Sequence, residues 1–303
     1  MKLIGAVDIG GTKIAVGAVH EDGTVVHRSE CPTEPERGFA NALQRVSQML
    51  HDAADASGPF AGVGVACPGP LDPYTGILDE IGTLPEWKGG NLVETLTAEF
   101  GVPVAVENDA DAAALAEHAC GSARGAGNSI YITVSTGIGG GIVLGGKLYR
   151  GVAGAHPELG HQIIDSQGPL CYCNAHGCWE SLASGTAMSA WMREQQPAGE
   201  PLTAADICRL ATEGNALAVQ AVKREGLYLG VGLTNLITLF APDVIVLGGG
   251  VMRSHELFLD EAIGVIRALC TQVPAEKTRI VVSTLGSDVG LLGAAQAWLM
   301  RFT

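Results

Sequence analysis

Positive charge and long apolar runs are both scarce in this sequence. Its 303 residues include 18 Lys and Arg against 32 Asp and Glu, which gives a formal net charge of −14. A surplus of acidic groups repels long polyanions, so nucleic-acid binding by bulk electrostatics is excluded as a main function. No apolar run reaches the roughly 18 residues that a membrane helix needs, so we predict neither a membrane span nor a membrane partner.

A secretory leader is not evident either. The start, MKLIGAVDIGG, has one Lys and a short apolar run that leads directly into an aspartate–glycine turn. A secretory signal needs a longer apolar core and a cleavage site. We therefore expect a cytoplasmic protein, in which the eight cysteines are reduced.

Two common nucleotide-binding motifs are missing, namely the P-loop and the strand–GxGxxG–helix unit. What the chain has instead is two strand–glycine-turn–strand units. Their turns are Asp8–Thr12, between strands at 3–7 and 13–19, and Thr136–Gly141, between strands at 129–134 and 142–144. Backbone N–H groups of glycine turns can approach a bound group closely, and two such turns facing each other would form a phosphate clamp. Either turn alone is also compatible with an ordinary hairpin.

The first turn carries polar groups suited to nucleotide chemistry. An acid beside a phosphate site is unfavourable unless a cation intervenes, so Asp8 points to Mg²⁺. Thr12 and Lys13 are placed to contact phosphate. A Lys just after a hairpin turn is equally compatible with simple exposure to solvent.

A cluster of soft metal ligands follows the second turn, in a connection from about 151 to 178 that has little helical pattern. His161, Cys171, Cys173 and Cys178 offer one imidazole and three thiols, which is a ligand set for tetrahedral zinc. The close spacing favours a closed structural site, and the metal would order the loop. The alternative is a group of free thiols. We expect His176 to lie outside the ligand set.

Several acidic residues are candidates for work on a substrate. Asp109 follows a predicted strand and begins a helix, at the edge where ligands bind in open α/β sheets. It is a candidate general base for a substrate hydroxyl, although Asn108 or Asp109 could equally cap the helix. Glu158 and Glu180 flank the cysteine cluster, and together with His161 they suit a polyhydroxy ligand. The alternative for each Glu is a solvated surface charge.

Strand and helix patterns alternate along the chain, which indicates an α/β protein. Apolar spacing predicts helices that include 39–56, 179–195, 216–240 and 255–270. No flexible linker separates two halves. We predict a first domain of residues 1–115, joined by a C-terminal helix at 290–303, and a second domain of residues 116–289 that contains a zinc loop at 156–180.

The ordered motifs resemble the ROK family of bacterial sugar kinases and repressors, from about Lys2 to Leu299. The motifs are Asp8-x-Gly10-Gly11-Thr12, Cys67-Pro68-Gly69, Glu107-Asn108-Asp109, Ser135–Gly141, Glu158-Leu159-Gly160-His161 and Cys171–Glu180. The resemblance implies an actin-like ATPase (ribonuclease-H-like) fold, with two α/β domains around an interdomain cleft. It also implies ATP- and Mg²⁺-dependent phosphorylation of a hexose hydroxyl.

The resemblance implies a role for each matching residue. Asp109 resembles the family's general base. The implied sugar ligands are Gly69, Asn108, Glu158, His161 and Glu180. The implied nucleotide site includes Asp8, Gly10, Gly11, Thr12, Lys13, Thr136, Gly137, Gly139, Gly140 and Gly249. The implied structural zinc ligands are His161, Cys171, Cys173 and Cys178.

The motifs look most like those of family glucokinases, although N-acetylmannosamine kinases and fructokinases share most of them. Two positions depart from the family pattern: Asn174 stands where a Gly is common, and Thr83 where an Asn is common. A sugar-responsive regulator is the alternative from another class. Such regulators carry an extra DNA-binding segment and often lack the base, whereas this chain is acidic and has Asp109. We expect small-molecule partners, sugar and ATP, and a homodimer.

Overall fold

The computed structural model describes residues 1–303 and has ten strands and nine α-helices. Residues 1–127, 141–157 and 283–303 form one compact unit, called unit 1. Residues 128–140 and 158–282 form a second one, unit 2. The division into domains of residues 1–115 and 116–289 stays a prediction.

The strands and helices alternate over most of the chain. The strands are β1 Leu3–Ile9, β2 Lys13–His20, β3 Val25–Pro32, β4 Gly62–Cys67, β5 Val104–Asn108, β6 Ser129–Val134, β7 Ile138–Leu144, β8 Lys147–Leu148, β9 Val244–Gly248 and β10 Arg279–Val282. The helices are α1 Gly38–Ser57, α2 Leu92–Phe100, α3 Asp109–Ala119, α4 Trp179–Leu182, α5 Gly185–Gln195, α6 Ala204–Thr212, α7 Ala216–Phe240, α8 Leu259–Leu269 and α9 Val289–Phe302.

The strands form two five-stranded sheets with the same internal order. The first sheet has the order β3-β2-β1-β4-β5, in which β1 to β3 are antiparallel and β1, β4 and β5 are parallel. The second sheet has the order β8-β7-β6-β9-β10, in which β6, β9 and β10 are parallel. In each sheet the first glycine-turn strand is therefore central, and its turn lies where ligands bind in open α/β sheets.

Helices cover both faces of the first sheet. Its parallel strands β4 and β5 are buried along their whole length, as expected of strands that are covered on both sides. On one face α1 buries Leu43, Val46 and Leu50, whose spacing places them on one side of the helix. On the other face α9 contributes Leu291, Ala294 and Trp298 to a second cluster. The last helix thus holds the start of the chain by apolar burial.

Two helices predicted as continuous are interrupted in unit 2. The predicted helix at 179–195 is split into α4 and α5, because the Ser184 side chain accepts a hydrogen bond from Ala187 N and begins a new helix. The predicted helix at 255–270 starts later than expected, because 3₁₀ turns over Val251–Leu257 occupy its first residues and α8 begins at Leu259. The long helix α7 has its predicted bounds. None of the helices has the length and apolar composition needed to cross a membrane.

Candidate active site

At the end of β5, Asn108 and Asp109 have different positions. The sequence allowed either residue to cap α3, and the structure shows which one does. Asn108 is the cap, since its Oδ1 accepts from Ala110 N at 2.9 Å and from Asp111 N at 3.3 Å. Asp109 lies in the first turn of α3 with an exposed side chain, and its Oδ1 accepts from Ala110 N at 2.8 Å. The carboxylate of Asp109 is therefore accessible to a substrate, as a general base must be.

Gly69, the predicted backbone contact to sugar, lies beside this cap. A Cβ added to Gly69 would lie 3.3 Å from Asn108 Nδ2. The Asn108 amide is thus divided: its oxygen caps α3, and its nitrogen is directed to the space beside Gly69. The structure brings together Gly69 and Asn108, two of the predicted sugar ligands.

The first glycine turn is a tight connection between β1 and β2. Gly10 N donates to Lys13 O at 2.9 Å, and Thr33 Oγ1 donates to Gly10 O at 2.6 Å. A Cβ on Gly11 would lie 2.9 Å from the Cβ of Thr83, so the Thr83 loop packs directly on this turn. Turn and loop form one surface in unit 1.

Thr12 and Lys13 are the polar residues at the end of that turn, and only Lys13 forms an ion pair. The Lys13 ammonium pairs with Glu30 on the neighbouring strand β3, and its side chain is 54% exposed. Both side chains are exposed, and the Thr12 carbonyl accepts from Thr33 N at 2.9 Å. A phosphate contact by Lys13 would have to compete with Glu30.

Asp8 lies at the end of β1, packed against the first turn of α9. A Cβ on Gly290 would lie 2.1 Å from Asp8 Oδ2, so only glycine leaves room for this carboxylate. Burial, and then the negative charge of Asp109, raise the pKa of Asp8 to about 6. A carboxylate whose charge is disfavoured by burial and by another acid is suited to a hard cation, so the donor chemistry of Asp8 fits Mg²⁺.

The second glycine turn and the Gly248–Gly250 segment lie together in unit 2. Gly249 has φ +94°, and a Cβ there would lie 2.3 Å from the Val134 carbonyl oxygen. A Cβ on Gly250 would lie 3.6 Å from Ser135 Oγ. The structure therefore brings Gly249 to the start of the turn that holds Thr136, Gly137, Gly139 and Gly140.

Glu180 connects the predicted sugar residues of unit 2 to this turn. Its Oε2 accepts a hydrogen bond from Ile138 N at 2.8 Å. A Cβ on Gly137 would lie 2.0 Å from the same oxygen, so any side chain there would displace Glu180. The carboxylate is therefore held by the backbone of the glycine turn and is not a loose surface charge.

The four predicted zinc ligands converge. One ligand atom from each of His161, Cys171, Cys173 and Cys178 lies within 4.8 Å of all the others. Cys171 Sγ is 3.6 Å from His161 Nδ1, and Cys173 Sγ is 3.5 Å from Cys178 Sγ. Tetrahedral zinc with ~2.3 Å bonds to sulfur separates its ligand atoms by roughly 3.5–3.8 Å, so this donor set fits the metal.

The loop around the cluster explains two sequence observations. Asn174, which stands where the family often has Gly, adopts φ +68°. Asn tolerates this left-handed conformation better than other non-glycine residues, so the turn is formed despite the substitution. His176 is outside the cluster, and its Nδ1 lies 3.0 Å from the Gly168 carbonyl oxygen.

Tyr172 is a residue that the sequence reasoning missed. Its Oη lies 2.9 Å from His161 Nε2, and the two rings meet edge-on with centroids 5.0 Å apart. Tyr172 is largely exposed, and partial burial of its phenol, followed by the charges of Glu180 and Glu158, raises its pKa. Both predicted sugar-binding glutamates therefore lie near the phenol that contacts His161. The position of Tyr172 between two cysteine ligands is the signal that would have found it.

A buried charge network beside Asn108 was missed as well. The Arg150 guanidinium makes two hydrogen bonds to the Glu107 carboxylate, one of them 2.9 Å from Nη1 to Oε1. Asp111 is fully buried, and neither of its carboxylate oxygens has a hydrogen-bond partner in the chain. Burial, and then the charge of Glu107, raise the pKa of Asp111 to about 7. In the sequence, Asp111 looks like an ordinary first-turn acid, and nothing marks it as buried.

Comparison with known proteins gives the family. The ROK family model matches residues 4–301. The chain is 32% identical to a glucokinase of Thermotoga maritima, with 97% of this chain and 96% of the relative covered. Among solved structures, a ROK hexokinase from Thermus thermophilus is similar at 34% identity and a TM-score of 0.87, covering 99% of both chains.

A third similar protein is a ROK glucokinase from Streptomyces griseus, solved in complex with glucose and AMPPNP. It is 32% identical with a TM-score of 0.80, and 97% of this chain and 98% of that chain are covered. These similarities confirm the predicted α/β, actin-like ATPase fold. The chain therefore belongs to the ROK family.

Proposed function

We propose that the protein transfers the γ-phosphoryl group of ATP to a hydroxyl of a hexose, with glucose as the expected substrate. The observation that carries the proposal is the division of roles at the end of β5. Asn108 caps α3, and the Asp109 carboxylate beside it is exposed. The similarity to glucokinases supports this choice of reaction and substrate.

In the proposed reaction Asp109 acts as the general base. The sugar hydroxyl oxygen attacks the γ-phosphorus, the bond from that phosphorus to the ADP oxygen breaks, and the hydroxyl proton goes to the Asp109 carboxylate. Gly69 and Asn108 in unit 1 bind the sugar, as do Glu158, His161 and Glu180 in unit 2. Their carboxylate, amide and imidazole groups are the partners that sugar hydroxyls require.

The nucleotide is assigned to the glycine turns. In unit 1 these residues are Gly10, Gly11, Thr12 and Lys13, and in unit 2 they are Thr136, Gly137, Gly139, Gly140 and Gly249. Backbone N–H groups of such turns bind phosphate oxygens. Asp8 is the residue assigned to Mg²⁺, which when bound with ATP neutralises phosphate charge.

His161, Cys171, Cys173 and Cys178 are proposed to hold a structural Zn²⁺. Bonding through Nδ1 would leave the proton of His161 on Nε2, the nitrogen that now contacts Tyr172. The metal would thus fix both the orientation and the tautomer of a sugar-binding histidine.

A homodimer stays a prediction, for which sedimentation of the purified chain is the direct measurement.

The test is a coupled assay of ADP release with glucose, mannose, fructose, N-acetylglucosamine and N-acetylmannosamine. We expect ADP release that depends on added sugar and is fastest with glucose. Fastest release with N-acetylmannosamine or fructose would reassign the substrate within the same reaction. Absence of sugar-dependent release with every sugar would contradict the proposal.

A further inference from the structure

His161 already has a partner on the nitrogen that a sugar would need. Its Nε2 lies 2.9 Å from the Tyr172 hydroxyl oxygen, which is a hydrogen-bond distance. Its other ring nitrogen, Nδ1, lies 3.6 Å from Cys171 Sγ and is directed at the cysteine cluster. An imidazole nitrogen has either one proton or one lone pair, so Nε2 makes one hydrogen bond at a time. A sugar hydroxyl therefore cannot bond to His161 while Tyr172 does.

Tyr172 is fixed through its backbone, whereas its side chain is not packed. Cys171 N donates to Ala175 O at 2.8 Å, and Asn174 N donates to Cys171 O at 3.0 Å, so the turn that carries Tyr172 is closed. The residue is 78% exposed, and its ring meets the His161 ring edge-on. Rotation of the side chain would therefore move the phenol away from His161 with little loss of buried surface.

The phenol also lies near the other sugar ligands assigned to unit 2. Partial burial, and then the charges of Glu180 and Glu158, raise the pKa of Tyr172. The Glu180 carboxylate is held in place, since it accepts a hydrogen bond from Ile138 N at 2.8 Å. A hexose that bonds to these glutamates and to His161 would meet the phenol hydroxyl at Nε2.

The group that would leave and the group that would replace it are chemically alike. Both are hydroxyls, so His161 Nε2 keeps one hydrogen bond with either partner. The displaced phenol is exposed to water and is not left as a buried unpaired group. The cost of the exchange is the lost bond between Tyr172 and His161, which lowers the apparent affinity for the sugar.

We propose that Tyr172 competes with the hexose for His161: its hydroxyl occupies the place of one sugar hydroxyl on Nε2 and leaves when the sugar binds. This inference rests on the proposed sugar kinase function, in which His161 is a sugar ligand. Tyr172 then sets the affinity for the sugar without bonding to it. The competition acts on a single sugar hydroxyl, because only the hydroxyl that reaches Nε2 displaces the phenol.

The test measures, by calorimetry without nucleotide, the binding of glucose and of the monodeoxyglucoses, each of which lacks one hydroxyl. Tyr172→Phe removes only the phenol oxygen, and Tyr172→Leu removes the ring as well. Tyr228→Phe is the matched control, since Tyr228 lies on α7 in the same unit and its ring contacts Arg224. Bound zinc and the Tm of each variant are measured in parallel.

We expect Tyr172→Phe and Tyr172→Leu to lower the Kd for glucose roughly 3- to 10-fold, the effect of one net hydrogen bond. For the deoxyglucose that lacks the hydroxyl bonded to Nε2, the Kd should stay within about twofold of the wild-type value. This cycle of one protein change and one sugar change isolates the competition from other effects. Tyr228→Phe should leave every Kd unchanged.

The inference is overturned if Tyr172→Phe binds glucose with a Kd within about twofold of the wild-type value, or more weakly. An equal gain with every deoxyglucose would also overturn it, because competition for one hydroxyl requires one exception. Loss of zinc in both variants would indicate a structural role instead, with the same consequence. Failure of the proposed function is a different result, because the wild-type enzyme would then release no ADP in response to any sugar.

Discussion

The two glycine turns of this protein follow the same strand–turn–strand pattern. At each turn a carboxylate packs directly against a glycine. In unit 1 the acid belongs to the turn region and the glycine is distant: Asp8 packs against Gly290 of α9. In unit 2 the arrangement is reversed: Gly137 belongs to the turn, and the acid is Glu180 of α4. The same contact thus serves a predicted cation ligand in one unit and a predicted sugar ligand in the other.

This difference shows why a glycine pattern alone does not define a site. Gly137 and Gly290 are not required for a left-handed backbone, since neither has a positive φ. Each is required because a Cβ would occupy the position of a carboxylate oxygen, at 2.0 Å and 2.1 Å respectively. The feature that the two units share is the contact between acid and glycine, and substitutions in each unit test what it does.

Among the substitutions that test this contact and the surrounding units, Gly137→Ala is expected to have the largest effect. The added methyl group would displace Glu180 from Ile138 N and break a hydrogen bond to a charged group. Such bonds contribute about 1.5–3 kcal/mol, so kcat/KM for the sugar should fall roughly 10- to 100-fold. Steady-state kinetics of ADP release measures this. Gly264→Ala is the matched control, because Gly264 is an exposed residue of α8 with open space around it.

Gly290→Ala should act on the nucleotide instead. The methyl group would move the Asp8 carboxylate, so the KM for MgATP should rise about tenfold, while the sugar KM changes little. The decisive comparison is the ratio of the two effects in Gly137→Ala and Gly290→Ala. If Gly290→Ala raised the sugar KM as much as Gly137→Ala does, the assignment of separate roles to the two contacts would be wrong.

The cluster of His161, Cys171, Cys173 and Cys178 is a further difference between the units. Glu180 follows Cys178, a proposed zinc ligand, by two residues, whereas Asp8 lies on a central strand. Cys178→Ser should lower the bound zinc from about one atom per chain towards zero and lower the Tm by several degrees. Elemental analysis and calorimetry measure the two effects. Cys208→Ser, at a buried cysteine of unit 2 outside the cluster, should retain the metal.

Retention of full zinc by Cys178→Ser, or no zinc in the wild-type protein, would refute the assigned metal site. In the first case the other ligands would have to hold the metal without Cys178. In the second the cluster would be a group of reduced thiols, which is the alternative that the sequence left open.

The smallest expected effect is a pH dependence of stability that comes from a buried acid. Asp111 in unit 1 and Glu225 in unit 2 are buried, and neither carboxylate has a hydrogen-bond partner. Burial raises the pKa of Glu225 to about 8, against the lowering effect of Arg224. The folded state therefore binds a proton that the unfolded state has released, and stability is lost as the pH rises from about 4.5 to 8.

Glu225→Gln should remove this loss, because the amide does not ionise. At pH 5 the Tm of the variant should be close to that of the wild type, and at pH 8 it should be higher by a few degrees. Glu213→Gln, at a residue with a 55% exposed side chain, is the control. A wild-type Tm advantage that grows from pH 5 to pH 8 would contradict this direction of the pH dependence.

Much of the architecture was predictable from residues alone. The bounds of α7 followed from apolar spacing. The convergence of His161, Cys171, Cys173 and Cys178 followed from soft groups at short intervals, and both patterns are local. The break at Ser184 was missed because the apolar spacing continues across it, and only the structure shows that this serine caps a new helix.

The missed parts of the site depend on contacts between distant residues. No local pattern indicates that Gly290 lies against Asp8, or that Gly69 shares its space with His156. The same applies to Asp111, whose burial results from the packing of α3 in unit 1. The roles assigned to individual site residues stay predictions until substitutions test them.

The most direct measurement of the central claim is the turnover of Asp109→Asn with saturating glucose and MgATP, together with glucose binding measured by calorimetry. If Asp109 is the general base, kcat falls roughly 10²- to 10⁴-fold, while the Kd for glucose changes less than about threefold. A kcat within about twofold of the wild-type value would contradict the account, because another group would then be accepting the proton.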